Sequence, residues 1–326
     1  MIIEKYDNHK LQTWRLCPLK GFWRHERHLV QSAQEKSAAL EYGIHMHKAL
    51  DTLYTDKDQE SAADLWLESY TPVFEELELY DPTAEKHTPE MGASQIKDYW
   101  NYWEESIHSM EVLGIEQYFA LDLGLDDERQ CPIPHLDRRC VVCSGTGVVR
   151  GPIYCGVVDK VFKDKRSGQV VGMDHKTTSM LTSALINSYK ISQQFRGYVY
   201  WLKRQSQWKE ECGEYFYFDL LLKTRSLKYA EGAKFYRDTT LCQEPFLDEW
   251  WDDMIHHVKE IRIMRKDAEE GIRYPRQDSD ACQKFGRLCA YYDLCSQPRE
   301  MRDTLAEQLY DIDQWDPLKR DEEVVV

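Results

Sequence analysis

Apolar and charged positions recur every three to four residues through the first third of the chain. This spacing predicts amphipathic helices, over 29–54, 59–79 and 93–112. From Gly114 the period shortens to the alternation that is typical of β-strands. It does so first in the run GIEQYFALDLGL and then in two further segments, 148–162 and 169–175.

The second half of the chain mixes both periods. It predicts one long amphipathic helix over roughly 181–204, two strands in EYFYFDLLLK and near 227–238, and a helix over about 245–270. Helices followed by a mixed sheet that a helix crosses indicate an α/β or α+β core.

This order of elements suggests three parts. Residues 1–112 are expected to be mainly helical, and residues 113–270 to hold the sheet with an inserted loop at 126–147. Residues 271–326 form a cysteine-rich segment whose last residues, RDEEVVV, are typical of a frayed tail.

The segment GVVDKVFKDKRSGQVVGMDHKTTS carries the most specific candidate chemistry. It predicts a hairpin in which Asp174 and Lys176 share one face, because side chains alternate along a strand. If the hairpin is symmetric about Arg166 and Ser167, Asp159 lies opposite Asp174. Facing carboxylates repel unless a cation sits between them, and Mg²⁺ favours such hard oxygen ligands. The alternative is a solvated hairpin face, which is common for a D-x-K triplet alone.

The net charge argues against a protein surface that attracts nucleic acid over its whole area. The chain has 57 acidic and 42 basic residues and a formal net charge of −15. A phosphate-binding protein with this balance needs a local basic groove, and needs metal ions to offset an acidic site.

The chain is expected to work in the cytoplasm without membrane contact. No run approaches the ~18 consecutive apolar residues of a membrane span, and the opening MIIEKYDNHK lacks the apolar core of a secretory signal. Disulfides are rare in such a compartment, so the ten cysteines point to metal or cluster ligation.

Asp159 followed by Asp174-x-Lys176 resembles the core motif of PD-(D/E)XK nucleases, particularly the RecB-like branch. Upstream, GIHMHKAL resembles that branch's G-x-x-x-H-x-x-L helix and places its histidine at His47; His45 is the less favoured candidate. Downstream, QQFRGYVYWL resembles its Gln-x-x-x-Tyr helix, with Gln194 and Tyr198 four residues apart on one helical face.

The resemblance implies an α/β fold with a restriction-endonuclease-like core, a central mixed sheet flanked by helices, and it implies roles for these residues. Asp159, Asp174 and His47 would hold Mg²⁺ or Mn²⁺, and Lys176 would assist the attacking water or stabilise phosphate charge. Gln194 and Tyr198 would position the nucleotide, Glu116 would be an accessory acidic residue, and Arg196 is a weaker phosphate contact. Asp174 stands where many relatives have Glu, and a histidine beside it is unusual.

One early and three late cysteines resemble the arrangement in iron–sulfur RecB-like nucleases, including the CRISPR-adaptation and AddB-type groups. The resemblance implies a [4Fe–4S] cluster that joins the two ends of the chain, held by Cys17, Cys282, Cys289 and Cys295. Four cysteines also suit zinc, and four unrelated buried thiols are the remaining alternative.

A second group has the spacing of a small zinc site and no counterpart in the family. Its candidate ligands are Cys131, His135, Cys140 and Cys143, with Cys155 as a substitute. The alternative is a set of ordinary thiols in an inserted loop, and Cys212 and Cys242 are expected to be packing residues.

The resemblance implies hydrolysis of DNA phosphodiester bonds. No Walker-type GxxxxGK[ST] motif occurs, so no ATP-driven motor is expected. Family analogy then implies a stand-alone exonuclease acting on DNA ends or single strands. The alternatives are a nuclease-fold protein that binds DNA or a partner without cleavage, and a CRISPR-adaptation-type or recombination nuclease that works in a complex.

Overall fold

A computed structural model describes residues 3–32, 37–131, 143, 147–224, 234–277, 281–284 and 287–317. The α-helices of this part are α1 Asn8–Leu16, α2 Pro18–Gly21, α3 Ala38–Asp56, α4 Gln59–Leu77, α5 Pro89–Ser109, α6 Ser183–Lys190, α7 Gln193–Leu202, α8 Glu244–Glu269, α9 Tyr292–Ser296 and α10 Arg302–Leu309. A π-helical turn covers Phe22–Glu26, and 3₁₀ turns cover Ala84–Lys86 and Arg299–Met301.

The strands are β1 Lys5–Tyr6, β2 Leu29–Gln31, β3 Met110–Asp122, β4 Arg129–Gln130, β5 Val148–Val149, β6 Ile153–Asp164, β7 Val170–Thr178, β8 Tyr215–Leu222, β9 Phe235–Leu241, β10 Gln283–Lys284, β11 Arg287–Leu288 and β12 Tyr310–Ile312. No described helix combines the length and the apolar composition that crossing a bilayer requires.

The chain forms two compact units, each assembled from separate segments. Unit 1 takes its described residues from 1–35, 118–157 and 248–326, and unit 2 from 36–117 and 158–247. The three-part division expected from the sequence stays a prediction.

Unit 2 is built on the mixed sheet that the sequence predicts. β6 pairs antiparallel with β7, β7 runs parallel to β8, and β8 pairs antiparallel with β9. A parallel pair needs a crossover connection, which α6 and α7 supply between β7 and β8. The helices α3, α4 and α5 pack together over a core rich in aromatic residues, including Trp66, Tyr70 and Tyr99. The observed fold is therefore the expected α/β arrangement of a mixed sheet with flanking helices.

Unit 1 joins segments from both ends of the sequence. β2 pairs antiparallel with β12, so that Leu29 lies opposite Ile312. One hydrophobic cluster contains Cys17 and Trp23 together with Tyr291, Leu294 and Tyr310. β1 pairs in parallel with the start of β6.

Two predicted helix boundaries are wrong. The helix expected over 29–54 begins only at Ala38, because residues 29–31 form β2. The helix expected over 181–204 is two helices, because the Ser192 side chain accepts a hydrogen bond from the Phe195 amide and starts α7 anew. The strand expected near 227–238 is β9, and residues 227–233 of that prediction lie outside the described residues.

Candidate metal centre

The β6–β7 hairpin brings two carboxylates together. Lys160 pairs with Met173 and Val161 with Gly172, which is the register expected from symmetry about Arg166 and Ser167. The next position along each strand is Asp159 on β6 and Asp174 on β7, so the two carboxylates face each other across the pair.

His47 joins these carboxylates from α3. Its Nδ1 lies 3.2 Å from Asp159 Oδ2, and one ligand atom from each of His47, Asp159 and Asp174 lies within 4.8 Å of the others. In the part of the chain that the structure describes, this is the one group of three or more such residues at that distance.

Glycine at position 43 explains how α3 approaches the sheet so closely. A Cβ atom built at Gly43 would lie 3.2 Å from Thr177 Oγ1 on β7, tighter than ordinary van der Waals contact. His47 stands one helical turn further along α3, on the same side of the helix. A glycine is therefore favoured at the first position of the G-x-x-x-H pattern for a steric reason: it lets α3 lie close enough to β7 for the histidine to reach the acidic pair.

Asp174 is the most buried of the three side chains. Its side chain is 1% exposed, and neither carboxylate oxygen accepts a hydrogen bond from a described residue. Lys176 Nζ lies 2.8 Å from Asp174 Oδ2, as an ion pair without hydrogen-bond geometry. Buried carboxylate oxygens without well-aligned donors are costly. A divalent cation would satisfy them, and two carboxylates with one imidazole are a donor set that Mg²⁺ and Mn²⁺ accept.

The two carboxylates titrate very differently. Burial, and then the charge of Asp159, raise the pKa of Asp174 to about 7. Burial also acts to raise the pKa of Asp159, but His47 and Lys176 outweigh it and hold that pKa well below the usual range. The charge of Lys176 is likewise stabilised: burial lowers its pKa, but Asp174 and Asp159 raise it further, above the ordinary lysine value. A carboxyl group that is half protonated near neutral pH releases its proton when a cation binds.

A buried polar network lies on the opposite face of β7. The His175 side chain is 0% exposed, with Nδ1 3.3 Å from Lys160 Nζ and Nε2 3.2 Å from the Tyr99 hydroxyl. Lys160 Nζ is in turn 2.5 Å from Asp51 Oδ1. The His175 amide donates to Asp159 Oδ2 at 3.3 Å, so the residue between Asp174 and Lys176 contacts both the network and the acidic cluster.

Asp219 and Arg237 complete this network. Arg237 Nη2 lies 2.7 Å from Asp219 Oδ2 and 2.8 Å from the hydroxyls of Tyr54 and Tyr99. Tyr99 also donates a short hydrogen bond to Asp219. The sequence prediction did not include Asp51, Lys160, Asp219 or Arg237. For Lys160 and Asp219 the available signal was a charged residue within an otherwise apolar strand, as in VVDKVF and YFYFDLLL.

The other predicted site residues of unit 2 have more local partners. Gln194 donates to the Tyr198 hydroxyl at 2.5 Å, across one turn of α7, which packs on β7 and β8. Glu116 lies in β3 with a positive φ of 46°. His45, the less favoured histidine, is buried with Nδ1 3.0 Å from Ser69 Oγ, on the side of α3 that faces α4.

The four predicted cluster cysteines converge in unit 1. Cys17, Cys282, Cys289 and Cys295 all line one cavity of about 280 Å³. Cys17 separates α1 from α2, and Cys295 lies in α9. The Cys289 amide donates to the Cys282 carbonyl at 2.8 Å and closes the β10–β11 hairpin, so both thiols lie at the base of this hairpin. Sequence positions far apart thus meet at one cavity, and four thiols are the donor set of a [4Fe–4S] cluster or of zinc.

The second cysteine group is described only in part. His135 and Cys140 lie outside the described residues. Cys131 and Cys143 are 7% and 5% exposed and belong to one small hydrophobic cluster, which also contains Cys155. The Cys155 thiol donates to the Tyr6 carbonyl at 3.5 Å, and burial raises its pKa. The zinc site stays a prediction.

Comparison with known proteins gives one family. A model described as the PD-(D/E)XK nuclease superfamily matches residues 9–296. No curated protein matches the chain. The matched range includes β6 and β7, with Asp159, Asp174 and Lys176, as well as His47 and the four cysteines around the cavity.

Proposed function

Since this chain belongs to the PD-(D/E)XK nuclease superfamily, we propose that it is a divalent-metal-dependent deoxyribonuclease whose centre is the His47–Asp159–Asp174 cluster. One observation carries the proposal. Asp174 is buried, and His47 and Asp159 each offer a ligand atom within 4.8 Å of one of its carboxylate oxygens.

Asp159, Asp174 and His47 would hold the ion, Mg²⁺ or Mn²⁺. Such an ion supplies Lewis-acid stabilisation of the phosphoryl oxygens and makes water a competent nucleophile at neutral pH. Asp159 stays ionised through its contact with His47, so it offers an anionic ligand at any pH near neutrality.

Lys176 serves as a cation in this scheme. Its charge is stabilised by Asp174 and Asp159, so it offsets the growing negative charge of the phosphoryl group and orients the attacking water. Gln194 and Tyr198 would position the nucleotide, and Glu116 would be accessory. These three roles rest on the resemblance to RecB-like motifs.

The proposed substrate is DNA, cleaved from an end or on a single strand. The test compares end-labelled linear single strands, linear duplex and circular single strands, each with Mg²⁺ or Mn²⁺. Metal-dependent shortening of linear strands, with circles intact and with no activity in Asp174→Asn, is the expected result. Cleavage of circles would show an endonuclease. Binding without cleavage would favour a partner-dependent role, in recombination or CRISPR adaptation, and adding such a partner would then restore activity.

Unit 1 is proposed to hold a [4Fe–4S] cluster on Cys17, Cys282, Cys289 and Cys295. The support is that all four line one cavity, and that Cys17 shares a hydrophobic cluster with Tyr291 and Leu294 from the C-terminal segment. The cluster would join segments that are distant in sequence.

The cluster is tested by anaerobic purification with iron, sulfide and zinc analysis. A broad absorption band near ~400 nm and about four irons per chain are expected. Cys289→Ser should lose both, whereas the partly exposed Cys212→Ser should retain them. Stoichiometric zinc without iron, or equal iron content in the two variants, would overturn the cluster proposal.

A further inference from the structure

Unit 1 has a second cavity, of about 520 Å³, whose lining is rich in arginine. Six of its lining residues are arginines, against three carboxylates. The arginines are Arg27, Arg265, Arg273, Arg276, Arg299 and Arg302. This local excess of positive charge stands out in a chain with a net charge of −15. The volume falls within the range of about 300–1,000 Å³ that is usual for ligand pockets.

Two of these arginines are neutralised within the cavity wall. Arg27 Nη1 lies 2.8 Å from Asp303 Oδ1, and Arg265 Nη2 lies 2.5 Å from Glu26 Oε1. The remaining carboxylate of the lining is Glu269. The other four arginines therefore face one carboxylate, and none of the four forms an ion pair with a described residue.

Two of the four are held in place by main-chain carbonyls. Arg276 Nη1 donates to the Cys295 carbonyl at 3.1 Å, and Arg302 Nε donates to the Gln297 carbonyl at 3.1 Å. A guanidinium fixed through one or two of its five N–H groups keeps the rest for a ligand. Arg273 and Arg299 are exposed and make no hydrogen bond to a described residue, so their donors face solvent at the cavity rim.

The wall also carries aromatic surface. Phe22 and Tyr274 are partly buried, and their rings stack with centroids 4.8 Å apart and an interplanar angle of 25°. Arginine forks bind phosphates bidentately, and aromatic rings pack against nucleobases. Together they form the combination that single-stranded nucleic acid binding uses: cations along the backbone beside rings for the bases.

We infer that this arginine-lined cavity is a binding site for the phosphate backbone of single-stranded DNA. The inference rests on the proposed nuclease function and deepens it, since it gives a strongly acidic chain a local basic surface for its substrate. Arg273 and Arg299 contact phosphates directly, and Arg276 and Arg302 supply charge from fixed positions.

The test measures binding of a fluorescein-labelled oligothymidylate of about 12 nucleotides, a length that one single-strand binding site covers. EDTA is present, so that no cleavage occurs. The variant is Arg273→Glu/Arg299→Glu. The matched control is Arg287→Glu, which reverses an exposed arginine of the same unit that is outside the cavity lining. The double variant is expected to bind at least tenfold more weakly at about 0.1 M salt. Its plot of log affinity against log salt should be shallower by about 1.4, because each phosphate contact on a single strand contributes a slope of about −0.7.

Two further arms separate the possible outcomes. Bis(p-nitrophenyl) phosphate with Mn²⁺ tests catalysis on a substrate too small to need the cavity; all three proteins should hydrolyse it equally. If none does so but the double variant still loses oligonucleotide binding, the nuclease proposal fails and the binding site stands.

Competition by thymidine monophosphate at the same concentration of phosphate groups should be weak. Equally strong competition would indicate a free-nucleotide pocket and overturn the inference.

Unchanged binding in Arg273→Glu/Arg299→Glu, or an equal loss in Arg287→Glu, would also overturn it. Melting temperatures of the variants guard against misfolding. If the glutamates unfold unit 1, Arg273→Lys/Arg299→Lys keeps the charge but removes the forks, and it should bind more weakly while retaining most of the salt slope.

Discussion

His47 Nδ1 on α3 lies 3.2 Å from Asp159 Oδ2 on β6, although the two residues are 112 positions apart in the sequence. This contact stabilises the ionised form of Asp159. It leaves Asp174, whose pKa is raised to about 7, as the carboxyl that changes its charge near neutral pH. The two facing carboxyl groups therefore differ: Asp159 is ionised at neutral pH, whereas Asp174 is partly protonated.

Asp174→Asn is expected to abolish cleavage while stabilising the metal-free protein. The loss should be about a thousandfold or more in kcat, because metal stabilisation of a phosphoryl transition state is worth several kcal/mol. In EDTA at about pH 8 the amide removes the repulsion with Asp159, so the melting temperature should rise. Calorimetry and the end-labelled assay measure the two effects, and a variant that is both inactive and less stable would contradict the account.

Metal affinity should rise with pH through neutrality. The pKa of Asp174 is about 7 before metal binds, so below that pH each bound ion must displace one proton and affinity should fall roughly tenfold per pH unit. Titration calorimetry in two buffers of different ionisation enthalpy should show proton release at about pH 6 that fades toward pH 8. In Asp159→Asn the pH at which half of Asp174 is ionised should be lower, because the repelling charge of Asp159 is gone. An affinity that is flat between pH 6 and 8 would exclude this titration.

The stability of the metal-free protein should show the opposite trend. A carboxyl whose folded-state pKa is raised binds a proton more tightly in the folded than in the unfolded chain. Asp174 therefore lowers the free energy of unfolding progressively as the pH rises from about 4, the ordinary pKa of an aspartate, to about 7. The difference between wild type and Asp174→Asn in free energy of unfolding isolates this contribution. The difference should widen over that interval and stay constant above it.

Gly43→Ala is expected to reduce activity more than stability. Alanine favours the helix by about 0.5–1 kcal/mol, but its Cβ would press on Thr177 Oγ1 at 3.2 Å and push α3 away from β7. A displaced His47 weakens metal binding, and misplacement of about 1 Å can cost on the order of a hundredfold in rate. Thr177→Ala removes the opposing oxygen, so the double variant should recover most of the activity. If the double variant recovers no activity, the loss in Gly43→Ala does not arise from contact with Thr177.

Breaking the Asp219–Arg237 pair should destabilise the protein by about 3–5 kcal/mol, because the remaining charge is buried without its partner. Chemical denaturation of Arg237→Met measures this cost. Arg150→Met, which removes an exposed ion pair with Glu128, is the control and should leave the stability nearly unchanged. Equal effects would mean that the buried pair contributes no more than a surface one. Asp219→Asn in addition to Arg237→Met should lose less than the sum of the two single changes.

Local patterns predict the hairpin well and the rest of the site less well. The facing of Asp159 and Asp174 follows from alternation and the symmetry of a short turn, both of which are local. β2 was predicted as helix because its strand conformation depends on pairing with β12, about 280 residues away, which periodicity cannot detect. Lys160 and Asp219 were missed for a similar reason, because the partners that compensate their buried charges are distant in sequence. Asp51 compensates Lys160, and Arg237 with Tyr99 compensates Asp219.

The cavity of four cysteines has a consequence for how the protein is made. Cys17 is synthesised before Cys282, Cys289 and Cys295, and at least 265 positions separate it from each of them. At about 5–20 residues per second, translation separates Cys17 from Cys295 by tens of seconds. Until Cys282, Cys289 and Cys295 are made, Cys17 lacks these partners, and by then both segments of unit 2 have been synthesised. If unit 1 holds the proposed cluster, its maturation is therefore a late event, and the supply of iron during growth would decide how much of the protein completes it.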